Sequence, residues 1–203
     1  MPQSSHGERF WSWFIANEAR IRRSQPGNRE GLLDEILVQL HAYCDELFFE
    51  TGCADDEVHE LVISAEQKTE LFDVVVSLVD DAPTIDGWRI IALKPARGFG
   101  STTRHGSAVV APATSWFLPL EAEHDRTRLG IRVACLNDDV CTAEDLDFAV
   151  RIMLANALGE RAFAMEIHHL EVVAMPENPE AAGYIELVEL GNYLDWRRGR
   201  SSA

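Results

Sequence analysis

Lysine is almost missing from this 203-residue chain: it stands at Lys68 and Lys94 and nowhere else. Basic charge rests on arginine, and Lys plus Arg (18) fall far short of Asp plus Glu (34), leaving a formal net charge of −16. That shortage disfavours sequence-independent nucleic-acid binding, which works by neutralising phosphates with Lys and Arg. No apolar run approaches the ~18–20 residues that a bilayer crossing needs, so no transmembrane helix is expected. The start, Met1-Pro-Gln-Ser-Ser-His-Gly-Glu-Arg9, has no basic segment leading into an apolar one. No secretory signal is therefore read, and a cytoplasmic location is expected. Cys44, Cys53, Cys135 and Cys141 form no C-x-x-C pair and have no histidine at zinc-finger spacing. They are expected to be free thiols, with no metal and no cofactor. Nucleophile and nucleotide motifs are missing too: there is no G-x-S-x-G, no H-E-x-x-H, no P-loop and no G-x-G-x-x-G after a strand.

What is present suits a globular fold. Hydrophobic residues make up 46 %, an ordinary share that excludes a wholly disordered chain. The acid is spread evenly, with 9 basic and 18 acidic side chains in residues 1–100 and 9 and 16 in residues 101–203. It is a property of the whole surface and not of a tail.

Periodicity predicts two helices at the front. Phe10, Phe14, Asn17 and Ile21 share one face, widened by Trp11, Trp13 and Ile15. After a break at Ser24–Asn28, the residues Leu33, Ile36, Leu37, Leu40 and Cys44 form a second stripe. The period then changes to two. Leu47–Thr51 and His59–Ile63 read as strands, Ser64-Ala-Glu-Gln67 as a capping box opening a helix, and Gly87–Leu93 as a third strand. The same order recurs with strands at Ser115–Leu120 and Leu129–Cys135, a helix after Thr142 ending at Gly159 as its C′ residue, and a long strand from Ala162 to Val173. Pro179–Arg198 reads as a last helix. The expected fold class is α+β, in a single domain over 1–203. It comprises a helical front (9–45), two strand–strand–helix–strand units (46–95 and 114–173) and a C-terminal helix and tail (174–203). With a right-handed crossover in each unit, the two would form one mixed sheet of about six strands.

Three segments hold side chains that can do chemistry. Lys94-Pro-Ala-Arg97-Gly-Phe-Gly100-Ser-Thr-Thr-Arg104-His105-Gly106 is basic, glycine-rich and hydroxyl-rich. Its backbone N–H groups with Arg97 and Arg104 suit an anion; alternatively it is a connector whose glycines serve turns. In Glu166-Ile-His168-His169-Leu-Glu171, alternation on a strand puts Glu166 and His168 on one face and His169 and Glu171 on the other. The adjacent histidines then cannot hold one metal without a further ligand such as His59 or His41. His168 beside Glu166 has the makings of a general base with an orienting carboxylate; the plain reading is a half-exposed strand. Asp138, Asp139, Glu144, Asp145 and Asp147 cluster at a helix start, where carboxylates are favourable without any cation.

Phe10-Trp-Ser-Trp-Phe14, Glu60-Leu-Val-Ile-Ser-Ala65 and the stretch from Ala82 through Trp88-Arg-Ile-Ile-Ala-Leu-Lys-Pro95 together resemble a family of uncharacterised bacterial proteins, a domain of unknown function, over residues 9–96. The resemblance implies a bacterial cytosolic α+β protein and carries no catalytic residue with it.

The leading functional expectation is a non-enzymatic, acidic protein-binding module, with an immunity- or antitoxin-like protein as one concrete form. Its carboxylates, on the turns Asp55-Asp56-Glu57 and Asp80-Asp81, would face a partner protein with a basic surface. Neither nucleic acid nor membrane is an expected partner. The alternative is an enzyme or small-anion binder with a pocket between the two units, lined by Arg97, Arg104 and His105, with Glu166 and His168 nearby.

Overall fold

A computed structural model of the chain describes residues 3–24, 26–53, 58–121, 128–136 and 141–201. Asp55, Asp56, Glu57, Asp138 and Asp139 lie outside the described residues. The chain divides into two compact units, Met1–Lys94 and Pro95–Ala203. The class is α+β, as expected: the described residues form six α-helices and three separate sheets of three, two and four strands.

The first unit runs α1 (Gln3–Arg22), α2 (Pro26–His41), β1 (Phe48–Cys53), β2 (His59–Ser64), α3 (Phe72–Asp80) and β3 (Trp88–Ala92). The expected strand–strand–helix–strand order is found. β1 pairs antiparallel with β2, and α3 carries the chain over so that β3 pairs parallel to β2. β2 is central and is buried on both faces at Leu61, Val62 and Ile63, which explains its unbroken apolar run. α1 buries Phe10, Trp11, Phe14 and Ile21, and α2 buries Leu32, Ile36 and Leu40 at intervals of four. Trp11 Nε1–H donates to Leu78 O at 2.8 Å and so ties α1 to α3.

The capping box at Ser64 is corrected. Ser64 Oγ accepts from the backbone N–H of Glu66 at 3.0 Å, two residues on. Glu66 and Gln67 have φ of 48° and 70°, which a helical first turn cannot accommodate. A 3-10 turn at Thr69–Leu71 then leads into α3.

The second unit runs β4 (Thr103–His105), β5 (Ala108–Val110), β6 (Trp116–Glu121), β7 (Leu129–Cys135), α4 (Ala143–Leu158), α5 (Glu160–Glu166), β8 (Ile167–Ala174), β9 (Ile185–Glu186) and α6 (Leu190–Ser201). Its four-stranded sheet has the order β8-β7-β6-β9, with β7 parallel to β8. Phe117, Ile131, Val133, Val150, Met153 and Leu154 lie in one core with Leu187, Leu190 and Leu194. Thr142 caps α4 by accepting from Asp145 N at 3.1 Å, as the sequence suggests.

Four expectations change here. The single six-stranded sheet is replaced by separate sheets. Leu93 takes φ 62° and turns the chain out of β3, and the free side of β6 is filled by β9 from the tail. Part of the basic loop forms the β4–β5 hairpin instead of a connector. The long strand from Ala162 begins only at Ile167, because residues 160–166 (ERAFAME) are strong helix formers and fold as α5. The tail helix starts at Leu190, preceded by turns over 179–183 and the short β9.

Asp145 also joins the hairpin to α4. Its carboxylate accepts from Ser107 N at 2.9 Å and from Ser107 Oγ at 2.7 Å. These bonds, first the backbone one and then the hydroxyl, hold its carboxyl below the usual range. A carboxylate with a depressed folded pKa stabilises the fold above its unfolded value, about pH 4, and loses that contribution as pH falls through the folded value. Asp145→Asn is therefore expected to lower the thermal midpoint at neutral pH, with the gap to the parent closing as pH drops below about 4. A gap that does not change with pH would refute the assignment.

Candidate functional site

No helix among the described residues is long and apolar enough to cross a membrane. A concave surface lined by polar groups lies in the first unit. It is a cleft of about 190 Å³. Ile21 and Arg22 at the end of α1, Ser24 in the connector, Arg29, Leu32, Leu33 and Ile36 on α2, Thr51–Cys53 of β1 and His59 of β2 contribute its walls.

Each polar group has a reason to be there. Arg22 sits in the last turn of α1, where a cation complements the negative helix end. Its Nη2 donates to Glu18 Oε2 at 2.7 Å and to Asp86 O at 2.6 Å. Glu18 in turn accepts from Trp88 Nε1 at 3.1 Å, so α1 and β3 fix the guanidinium together. Gly87 has φ 75°, and a Cβ there would come within 2.8 Å of Arg22 Nη1. Only glycine lets the guanidinium lie against the backbone. Arg22 Nε is buried and has no hydrogen-bond partner among the described residues. Arg29 is exposed in the first turn of α2, and its Nη2 donates to Thr51 O at 3.3 Å.

Cys53 and His59 face each other across the β1–β2 ladder. Cys53 Sγ lies 3.6 Å from His59 Nδ1, and the His59 ring packs on Trp88 with centroids 5.2 Å apart. Burial pushes the imidazole pKa down, and the Arg22 charge adds to this; Glu18 opposes it and Arg29 reinforces it. His59 is therefore a neutral imidazole near pH 7, able to accept a proton from a neighbouring group. Cys53 is exposed, whereas the Cys135 thiol is buried and pushed up by that burial.

Next to the cleft is an open groove of about 410 Å³, lined by Arg29, Leu33, Asp34 and Leu37 of α2 and by Phe48–Thr51 of β1. β1 is an edge strand of its sheet. Phe48 is 42 % exposed and Val38, one turn beyond Asp34 on α2, is 63 % exposed. Glu50 on the groove pairs with Lys94 at 3.1 Å.

The side chains singled out from sequence are placed elsewhere. Lys94 ends the first unit and is held by Glu66 at 2.7 Å as well as by Glu50. Burial pulls its pKa down, but the two glutamates outweigh this and leave it raised. Arg97 and Arg104 are exposed. Backbone N–H groups of Arg97 and Gly98 donate to Asn156 O and Ala157 O at 2.8 and 3.0 Å. They cap the end of α4, which removes two of the donors that an anion would need. His105 stacks on Phe148 with centroids 4.8 Å apart.

Glu166 ends α5 instead of lying on the strand, and its carboxylate accepts from Arg198 Nε at 3.3 Å. His168 Nδ1 donates to the backbone oxygen of Glu166 at 3.2 Å, so the expected imidazole–carboxylate bond is replaced by a backbone one. The β7–β8 register skips His168, a bulge, while His169 and Glu171 share a face at 3.1 Å as alternation predicts. Asp80 and Asp81 are exposed at the end of α3.

No group of three or more His, Cys, Asp or Glu among the described residues is arranged to hold a metal ion. Sequence reasoning missed the cleft because Arg22, Arg29, Cys53 and His59 are scattered over 38 positions. The available signal was the hairpin itself, since strands flanking Cys53 and His59 must bring those two residues opposite each other. Compared with known proteins, the chain matches no family model, no curated protein and no solved structure.

Proposed function

We propose that the chain is a non-enzymatic protein-binding module whose first unit receives an extended, basic segment of a partner protein along the α2–β1 groove. The observation that carries this reading is an edge strand bordering an apolar groove that bears Asp34 and Glu50. An edge strand offers unpaired backbone groups to an incoming strand. The groove takes its apolar side chains, and Asp34 selects Lys or Arg between them, Glu50 being already paired with Lys94. The net charge of −16 raises the encounter rate with any basic partner. An immunity- or antitoxin-like inhibitor acting on a basic toxin is one form such a module takes.

The test uses synthetic peptides of alternating Lys and Val, with a Glu and Val peptide as control, followed by fluorescence anisotropy at two salt concentrations. The basic peptide is expected to bind, more weakly at high salt. Paired Asp34→Lys and Phe48→Lys substitutions are expected to weaken binding about tenfold or more, the scale of one lost charge pair and one lost apolar anchor. Equal binding of the acidic peptide, or indifference to the paired substitution, would sink the reading. The alternative of an enzyme or small-anion binder draws its support from the arginine-lined cleft rather than from Arg97 and Arg104.

A further inference from the structure

We propose that the cleft between α1, α2 and the β1–β2 ladder binds a small oxoanion, a carboxylate or a phosphate group, held by Arg29 and Arg22 with Cys53 at its edge. In a chain with 34 acidic side chains, the described lining of this cleft holds two arginines, a histidine and two hydroxyls, and no carboxylate.

Two further observations point the same way. The first turn of α2, which contains Arg29, has no acidic residue to offset the positive helix end. Arg22 is already fixed by Glu18, Asp86 O and the bare backbone of Gly87, so little side-chain freedom is lost when an anion binds. Glu18 neutralises part of the Arg22 charge, which makes Arg29 the group on which affinity depends most. Among the described residues its competing bond is a long one, 3.3 Å to Thr51 O. The planar guanidinium fork fits a carboxylate or a phosphate equally well. The cleft shares Arg29, Leu33 and Thr51 with the partner groove, but the readouts differ: peptide binding is tested at Asp34 and Phe48 and anion binding at Arg29, so either can fail while the other stands.

Cys53 makes the site readable in the intact chain. Iodoacetate and iodoacetamide both alkylate a thiol: the S–C bond forms, the C–I bond breaks, iodide leaves, and the thiol proton passes to His59 or solvent. The first reagent carries a carboxylate and the second is neutral. The ratio of iodoacetate to iodoacetamide rates at Cys53 is expected to be about tenfold higher in the parent than in Arg29→Gln, the equivalent of one charge-assisted hydrogen bond. Arg29→Lys should fall between the two, since it keeps the charge and loses the fork.

Inorganic phosphate or acetate should slow the reaction with iodoacetate saturably in the parent and not in Arg29→Gln. Protection by phosphate alone assigns a phosphate-class ligand, and protection by acetate assigns a carboxylate. A rate ratio unchanged by Arg29→Gln, or a reaction that neither anion slows, overturns the proposal. Arg29 is exposed, and circular dichroism of each variant checks that the fold is intact.

Discussion

Phe14→Ala is expected to destabilise the first unit by about 3–5 kcal/mol, the range for deleting a buried aromatic side chain. Phe14 is completely buried. Its ring meets Trp88 edge-on with centroids 5.0 Å apart, and it packs on Phe10 at 6.2 Å and Trp11 at 6.0 Å. The loss has two parts, the transfer of the ring and the cavity left among rings that cannot all collapse into the space. Trp88 is also the residue that donates to Glu18, and Glu18 holds Arg22. The substitution should therefore loosen the cleft as well as the core. Denaturant unfolding followed by tryptophan fluorescence reads the first effect, since Trp11, Trp13 and Trp88 belong to this unit. The alkylation ratio at Cys53 reads the second. Phe14→Leu keeps most of the volume and should cost under half as much. A loss below about 1 kcal/mol for Phe14→Ala would mean that the site is not packed as described.

That effect rests on a pattern visible in the sequence. The aromatic face of α1 was readable because Phe10, Phe14 and Ile21 fall on a 3.6-residue period; these residues and Trp11 are core, whereas Ile15, expected to widen the face, is exposed. Both strand–strand–helix–strand orders were readable for a similar reason: a switch from period two to period 3.6 and back marks element boundaries wherever the runs are long. Joining the two into one sheet was not readable. Alternation tells which face of a strand is buried, and says nothing about which edge it offers to which neighbour. Here β9, two residues long and from the far end of the chain, takes one side of β6.

The β4–β5 hairpin was missed because three-residue strands carry too little pattern, although Gly106-Ser107 between them is a turn signal. The site was the least legible part. Arg22 stands between Arg20 and Arg23 with nothing in the sequence to single it out, and its fixing comes from Glu18 one turn back and from Asp86 and Gly87, which are remote in sequence. The basic loop drew attention by composition, yet its backbone donors at 97 and 98 close the end of a helix.

Gly159 combines both lessons, and its replacement is the second large effect. A C′ glycine normally sits in the left-handed helical region, where asparagine is also tolerated. Gly159 instead has φ 82° and ψ 153°, lies buried between α4 and α5, and its carbonyl accepts from Phe163 N at 3.0 Å to start α5. That backbone region is open essentially to glycine alone, and forcing a side chain into it costs about 1–3 kcal/mol. Gly159→Ala should therefore lower the stability of the second unit by about that amount. Gly159→Asn separates the two geometries. An ordinary C′ cap would accept asparagine with little loss, whereas ψ near 150° penalises asparagine as much as alanine. Urea unfolding of the two variants should give equal losses, and hydrogen exchange should show the opening concentrated in α5 and the start of β8, the segment that Gly159 aims. If asparagine restores the parent stability, the chain at this point is a simple helix cap, and the abrupt turn from α4 into α5 is not what fixes the position of β8.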